Sequence, residues 1–167
     1  MSETAAAQAA AQPSDPIPLF DPRGQYQRLK QDIDARVAAV MAHGAYINGP
    51  EVGELEAALA RWTGAEACVA CANGTDALVM SLLAHGIGPG DAVFVPAFTY
   101  VATAGAVRLV GATPVFCDVL ETTANLDPDD LPRQIARVRK AGRLTPRAVL
   151  PVDLYGLPAD YARVHDV

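Results

Sequence analysis

Residues Ala67-Cys68-Val69-Ala70-Cys71-Ala72-Asn73-Gly74-Thr75-Asp76-Ala77-Leu78-Val79 begin as a short apolar run, break at Asn-Gly-Thr-Asp, and continue as a second apolar stretch. The run 67–71 reads as a strand, the break as a turn, and residues 75–85 as a helix. Downstream the alternation repeats. Apolar runs at 92–96, 113–117 and 147–152 read as strands, and helical stretches are expected at about 100–110 and 128–141. Alternating strands and helices imply parallel strands joined by crossover helices, an α/β fold. Val93-Phe94-Val95 and Val149-Leu150-Pro151-Val152 are continuously apolar, as strands buried on both faces should be. Residues 158–167 open a further helix.

Upstream, Tyr26, Leu29, Ile33, Val37 and Val40 recur at helical spacing, and Gly44 is placed to end that helix. The turn-rich Tyr46-Ile47-Asn48-Gly49-Pro50 follows, and Val52, Leu55, Leu59 and Trp62 mark a second helix. Residues 1–16 are rich in Ala, Gln, Ser and Pro and lack apolar periodicity; they are expected to form a disordered arm, with residues 17–167 as the ordered part.

The 167 residues suffice for one hydrophobic core. An apolar share of 51% with 19% charged residues is that of a globular protein. A net charge of -6 argues against nucleic acid or an anionic membrane as the main partner. It leaves anionic ligands open, because a helix N-terminus binds phosphate without basic residues. No apolar run approaches the roughly 18 residues of a membrane span, and the first 22 residues carry no Lys or Arg for a signal peptide. A cytoplasmic location is expected. Cys68 and Cys71 form a C-x-x-C, but within a strand they would point to opposite faces, and no second pair of Cys or His completes a zinc site. They are read as small apolar strand residues rather than a redox pair.

In an open parallel sheet, ligands bind beyond the carboxyl ends of the strands. Three segments reach that edge: Ala72-Asn73-Gly74-Thr75, Ala97-Phe98-Thr99-Tyr100 and Asp153-Leu154-Tyr155-Gly156. Gly74 permits close approach of a ligand to the backbone, and N–H groups at the helix start would face a phosphate. The Thr75 hydroxyl could add a charge-assisted hydrogen bond. The same residues equally suit a plain helix cap. Tyr100 could lie flat against a planar cofactor or pack in the core. Asp153 could bind substrate or cap the next turn, and the cap is the favoured reading.

The segments Tyr46–Val52, Cys71–Leu78, Gly86–Asp91, Pro96–Thr103, Gly111–Val115 and Pro151–Asp160 together resemble the DegT/DnrJ/EryC1/StrS family of sugar aminotransferases. The resemblance runs from about Ile17 to Val167, with the nearest likeness to enzymes that aminate UDP-linked 3-keto sugars. It implies a three-layer αβα fold with a mostly parallel sheet, the N-terminal portion of a pyridoxal-phosphate (PLP) fold type I large domain. It implies that Gly74 and Thr75 bind the PLP phosphate and that Tyr100 stacks on the pyridine ring. It also implies amino transfer from glutamate to a nucleotide-linked keto sugar in amino-sugar or polysaccharide biosynthesis, by a homodimer when full length. In the family the lysine that holds PLP as a Schiff base, and the carboxylate that pairs with the pyridinium nitrogen, come after the Pro-Val-Asp-Leu-Tyr-Gly motif. The only lysines here are Lys30 and Lys140, and neither is placed at a strand's carboxyl edge. The chain alone is therefore expected to lack catalysis. The alternatives are a truncated, non-catalytic interaction protein and a PLP- or PMP-dependent sugar dehydratase.

Overall fold

The computed structural model describes residues 19–167, and the arm expected over residues 1–16 lies outside them. The chain divides into two compact units, one ending at Cys68 and the other running from Val69 to Val167.

The first unit holds α1 (Pro22–His43) and α2 (Pro50–Thr63). Asp21 caps α1 by accepting from the Gly24 N–H at 2.8 Å, with Pro22 in the first turn, where its missing N–H costs nothing. Gly44 ends the helix in the left-handed conformation (φ 68°), donating its N–H to Val40. Arg36 on α1 pairs with Glu54 on α2 at 2.7 Å, and His43 with Glu51 at 3.0 Å. The helices lie where periodicity expects them. Their stripe is not a core, however: Tyr26, Leu29, Ile33 and Val37 are all exposed.

The second unit runs α3 (Gly74–Ala84), β1 (Asp91–Pro96), α4 (Ala102–Leu109), β2 (Thr113–Cys117), α5 (Leu131–Ala141), β3 (Thr145–Val149), a 3₁₀ turn (Leu154–Gly156) and α6 (Tyr161–His165). The three strands are parallel, in the order β2-β1-β3. Residues of β1 are buried from Ala92 to Pro96, as its unbroken apolar run requires. Successive side chains serve opposite faces. Val93 and Val95 join Leu82 of α3 and Ala106 and Val107 of α4, while Ala92 and Phe94 join Leu131 and Val138 of α5. Two cores on two sheet faces make the three-layer αβα arrangement.

Two expectations fail. Residues 67–71 form no strand. The three-stranded sheet β2-β1-β3 is built without this run, which pairs with neither of its edge strands. The third sheet strand is Thr145–Val149 rather than 147–152. Leu150 still donates its N–H to Phe94 at 2.8 Å, but Pro151 has no N–H to continue the ladder. As an edge strand β3 is half-exposed, not buried on both faces.

Candidate functional site

The β1–α4–β2 and β2–α5–β3 connections pack their helices on opposite faces of the sheet. Parallel crossovers are right-handed, so helices on opposite faces accompany connections of opposite direction: the chain steps from β1 outward to β2, then back past β1 to β3. The carboxyl ends of the strands beside such a reversal are the usual ligand position in these sheets.

The start of α3 belongs to the same edge. At its other end, Arg147 of β3 reaches the His85 carbonyl at 3.4 Å, and the Thr145 N–H donates to Gly90 at 2.9 Å. The C-terminus of α3 thus sits at the amino ends of the strands, which leaves Asn73-Gly74-Thr75 at the carboxyl ends. There Asn73 is the N-cap: its Oδ1 accepts from the Asp76 N–H at 2.9 Å and its amide donates to the Asp76 carboxylate at 3.0 Å. The Ala77 N–H goes to the Asn73 carbonyl. Helix geometry leaves the first N–H groups without helical acceptors. Among the described residues, the N–H groups of Gly74 and Thr75 and the Thr75 hydroxyl take no partner. A Cβ placed on Gly74 would meet nothing within 4 Å. The two readings of this turn therefore divide between residues: Asn73 caps, while Gly74 and Thr75 keep free donors facing open space.

Tyr100 lies between β1 and α4 and is 75% exposed, so the core-packing reading does not hold. Its carbonyl accepts from the Thr103 N–H at 3.0 Å, and a hydroxyl pair between Thr99 and Thr103 at 3.0 Å fixes the loop, leaving the ring free.

Asp153, past β3, accepts from the Ala159 N–H and the Tyr161 hydroxyl, both at 2.9 Å. It is a turn-holding residue. The Tyr161 hydroxyl is held above its ordinary pKa, first by that hydrogen bond and then by burial. Two residues not singled out by sequence shape the same edge. Buried Asn125 accepts from the Leu154 N–H at 3.2 Å and donates to the carbonyls of Leu157 at 3.0 Å and Pro158 at 3.2 Å. Buried Asp130 accepts from the Asp118 N–H at 2.9 Å and from Arg133 and Gln134. Burial pushes its carboxyl up, but those three donors outweigh burial and leave it below the usual carboxylate range. No spacing in the sequence marks Asn125, because its partners lie about thirty residues away.

Lys30 is bound on its own helix by Asp34 and Tyr26, hydrogen bonds that push its pKa upward and keep it a cation. Lys140 is exposed in the last turn of α5, which leads into the amino end of β3. Cys68 and Cys71 are free thiols, and the Cys71 thiol donates to the Asn73 carbonyl at 3.3 Å. Among the described residues no group of three or more His, Cys, Asp or Glu side chains could hold a metal ion, and no helix is long and apolar enough to cross a membrane.

The chain is similar to known proteins in sequence and in fold. Residues 27–167 match the DegT/DnrJ/EryC1/StrS aminotransferase family. Over 153 residues the chain is 48% identical to the UDP-2-acetamido-2-deoxy-3-oxo-D-glucuronate aminotransferase of Pseudomonas aeruginosa, covering 90% of this chain and 40% of that protein. A DegT DnrJ EryC1 StrS aminotransferase from Brucella abortus superposes with a TM-score of 0.87 at 49% identity, over 90% of this chain and 40% of that one. NtdA from Bacillus subtilis, solved with its cofactor PMP, superposes with a TM-score of 0.72 at 30% identity, over 83% of this chain and 30% of that one. The chain thus spans about 40% of the length of the curated relatives it matches. By its sequence over residues 27–167 and by its fold, the chain belongs to the DegT/DnrJ/EryC1/StrS aminotransferase family.

Proposed function

We propose that residues at the start of α3 and after β1 form the PLP-holding part of an enzyme that moves an amino group onto a nucleotide-linked keto sugar. The single observation that supports this most is the set of free donors at Gly74 and Thr75, at the carboxyl edge of a parallel sheet. The residues present fit the cofactor. Two backbone N–H groups and one hydroxyl suit a phosphate at the positive end of a helix dipole, and an exposed tyrosine suits a flat aromatic ring. When bound, PLP supplies an electron sink for amino transfer.

Each residue has a separate task. Asn73 ties down the Asp76 N–H, so the next free donors are those of Gly74 and Thr75. Gly74 carries no side chain to crowd a phosphate. Thr75 adds a hydroxyl donor, and Tyr100 presents a ring face. Neither Lys30, already paired, nor Lys140, at the opposite edge of the sheet, can serve as the covalent lysine or as the base that moves a proton. The 167 residues taken alone are therefore expected to hold the cofactor without turnover. The substrate class carried over from the relatives is a UDP-linked 3-keto sugar, the amino donor is glutamate, and the intact enzyme is a homodimer in amino-sugar biosynthesis.

The test combines titration with pyridoxamine phosphate and borohydride reduction of a PLP-treated sample, followed by peptide mapping. Saturable binding with no stoichiometrically labelled lysine is expected. Labelling of Lys30 or Lys140 together with turnover of a keto sugar would overturn the assignment.

A further inference from the structure

The turn after β3 carries a strained residue that the cofactor reading does not use. Tyr155 has φ 55° and ψ 22°, in the left-handed region, directly before Gly156 at φ 83°. Glycine adopts that region freely, whereas a side chain makes it unfavourable. Such a residue persists only where its surroundings over-determine it.

Here they do. On one side the Leu154 N–H is held by the Asn125 side chain at 3.2 Å. On the other, the same side chain donates to the carbonyls of Leu157 and Pro158. Within the turn the Gly156 N–H donates to the Asp153 carbonyl at 3.1 Å, and the Asp153 carboxylate fastens Ala159 and Tyr161. Apart from the bond between Asp153 and the Tyr161 hydroxyl, these anchors grip the backbone around Tyr155, and none touches its ring, which is 87% exposed. The fold thus spends a buried, fully bonded asparagine on presenting an aromatic ring to solvent at the carboxyl end of β3. That strand borders β1, whose own carboxyl end leads to Tyr100, so the two exposed tyrosines follow the carboxyl ends of adjacent strands.

We infer that Tyr155 is a substrate-contact residue, its ring the stacking surface for a nucleotide-linked sugar, and that Asn125 is the positioning residue that holds it there. This rests on the aminotransferase reading of the same edge. An exposed tyrosine offers a flat apolar face to a base or to the C–H face of a sugar, with a hydroxyl at its rim. Because the backbone strain belongs to the side chain, Tyr155→Gly removes the ring and relieves the strain together, which separates recognition from folding.

The experiment titrates the whole chain, as wild type, Tyr155→Gly and Tyr155→Phe, with pyridoxamine phosphate, UDP and UDP-N-acetylglucosamine by calorimetry, and records thermal melting. Tyr155→Gly should melt no lower than wild type, bind pyridoxamine phosphate within twofold of wild type, and bind UDP-N-acetylglucosamine about tenfold more weakly. Tyr155→Phe should bind like wild type. An equal loss for UDP assigns the ring to the base, and a loss confined to the sugar nucleotide assigns it to the sugar; both support the contact. With pyridoxamine phosphate binding intact, failure of the wild type to take up either nucleotide, or equal uptake by Tyr155→Gly, would overturn the proposal. Loss of pyridoxamine phosphate binding in the wild type would instead sink the cofactor reading on which it rests.

Discussion

Thr75→Val changes one hydroxyl to a methyl of nearly the same shape. The Thr75 hydroxyl makes no hydrogen bond within the described protein, so nothing in the fold is left unpaired by its removal. Asn73 still caps α3 through the Asp76 N–H. Stability should therefore stay within about 0.5 kcal/mol of wild type. Toward a phosphate the same hydroxyl is a donor to a charged acceptor, worth about 1.5–3 kcal/mol. At about 1.4 kcal/mol per decade, the affinity for pyridoxamine phosphate should fall by about 10- to 150-fold. Pyridoxamine phosphate is the suitable probe because its binding needs no covalent lysine. Calorimetric titration measures the loss, pyridoxamine lacking the phosphate provides the control, and urea unfolding checks the fold. An unchanged affinity in a folded Thr75→Val would refute the phosphate assignment, and an equal loss for pyridoxamine would show that the residue acts on the ring instead.

Three further outcomes follow from the same geometry. Tyr100→Ala should leave urea unfolding unchanged, since the ring is exposed, and should weaken pyridoxamine phosphate by about two- to tenfold in the same titration. Asn125→Ala removes three hydrogen bonds made by a buried amide; at about 0.5–1.5 kcal/mol for each bond, urea unfolding should show a loss of at least about 1.5 kcal/mol. Cys117 lies buried at the end of β2, where burial first, and then the charges of Asp130 and Asp127, push its thiol up to about 12 from 9.0. The unfolded thiol then ionises first, so its contribution to stability is complete below about pH 9 and is lost as pH rises toward 12, by at most about 1.4 kcal/mol per pH unit. Denaturation series in that window should steepen for wild type relative to Cys117→Ala, and native Cys117 should resist thiol reagents that modify exposed Cys71.

Most of the framework is legible in the residues because its signals are local. Gly44 sits where the left-handed helix stop is needed, and the unbroken Ala92–Val95 run announces a strand covered on both faces. The candidate site is legible for the same reason: Asn73-Gly74-Thr75 is a cap with spare donors, written in consecutive residues. The rest depends on partners distant in sequence. Residues 67–71 have strand composition, but composition does not supply a neighbour, and they pair with neither edge of the sheet. Tyr26, Leu29, Ile33 and Val37 have core composition and correct period, yet periodicity says nothing of what covers a stripe, and in the structure they are exposed. Asn125 bonds to residues about thirty positions away. The left-handed Tyr155 is invisible to propensity, because it is imposed from outside the turn.

The placement of phosphate at the start of α3 is tested most directly by following backbone amide resonances during titration with pyridoxamine phosphate. The amides of Gly74 and Thr75 should move downfield and saturate together, with ring shifts at Tyr100. Saturable shifts that leave Gly74 and Thr75 unmoved and gather instead around the exposed cations Arg137, Arg139, Lys140 and Arg143 of α5 and its following turn would contradict it.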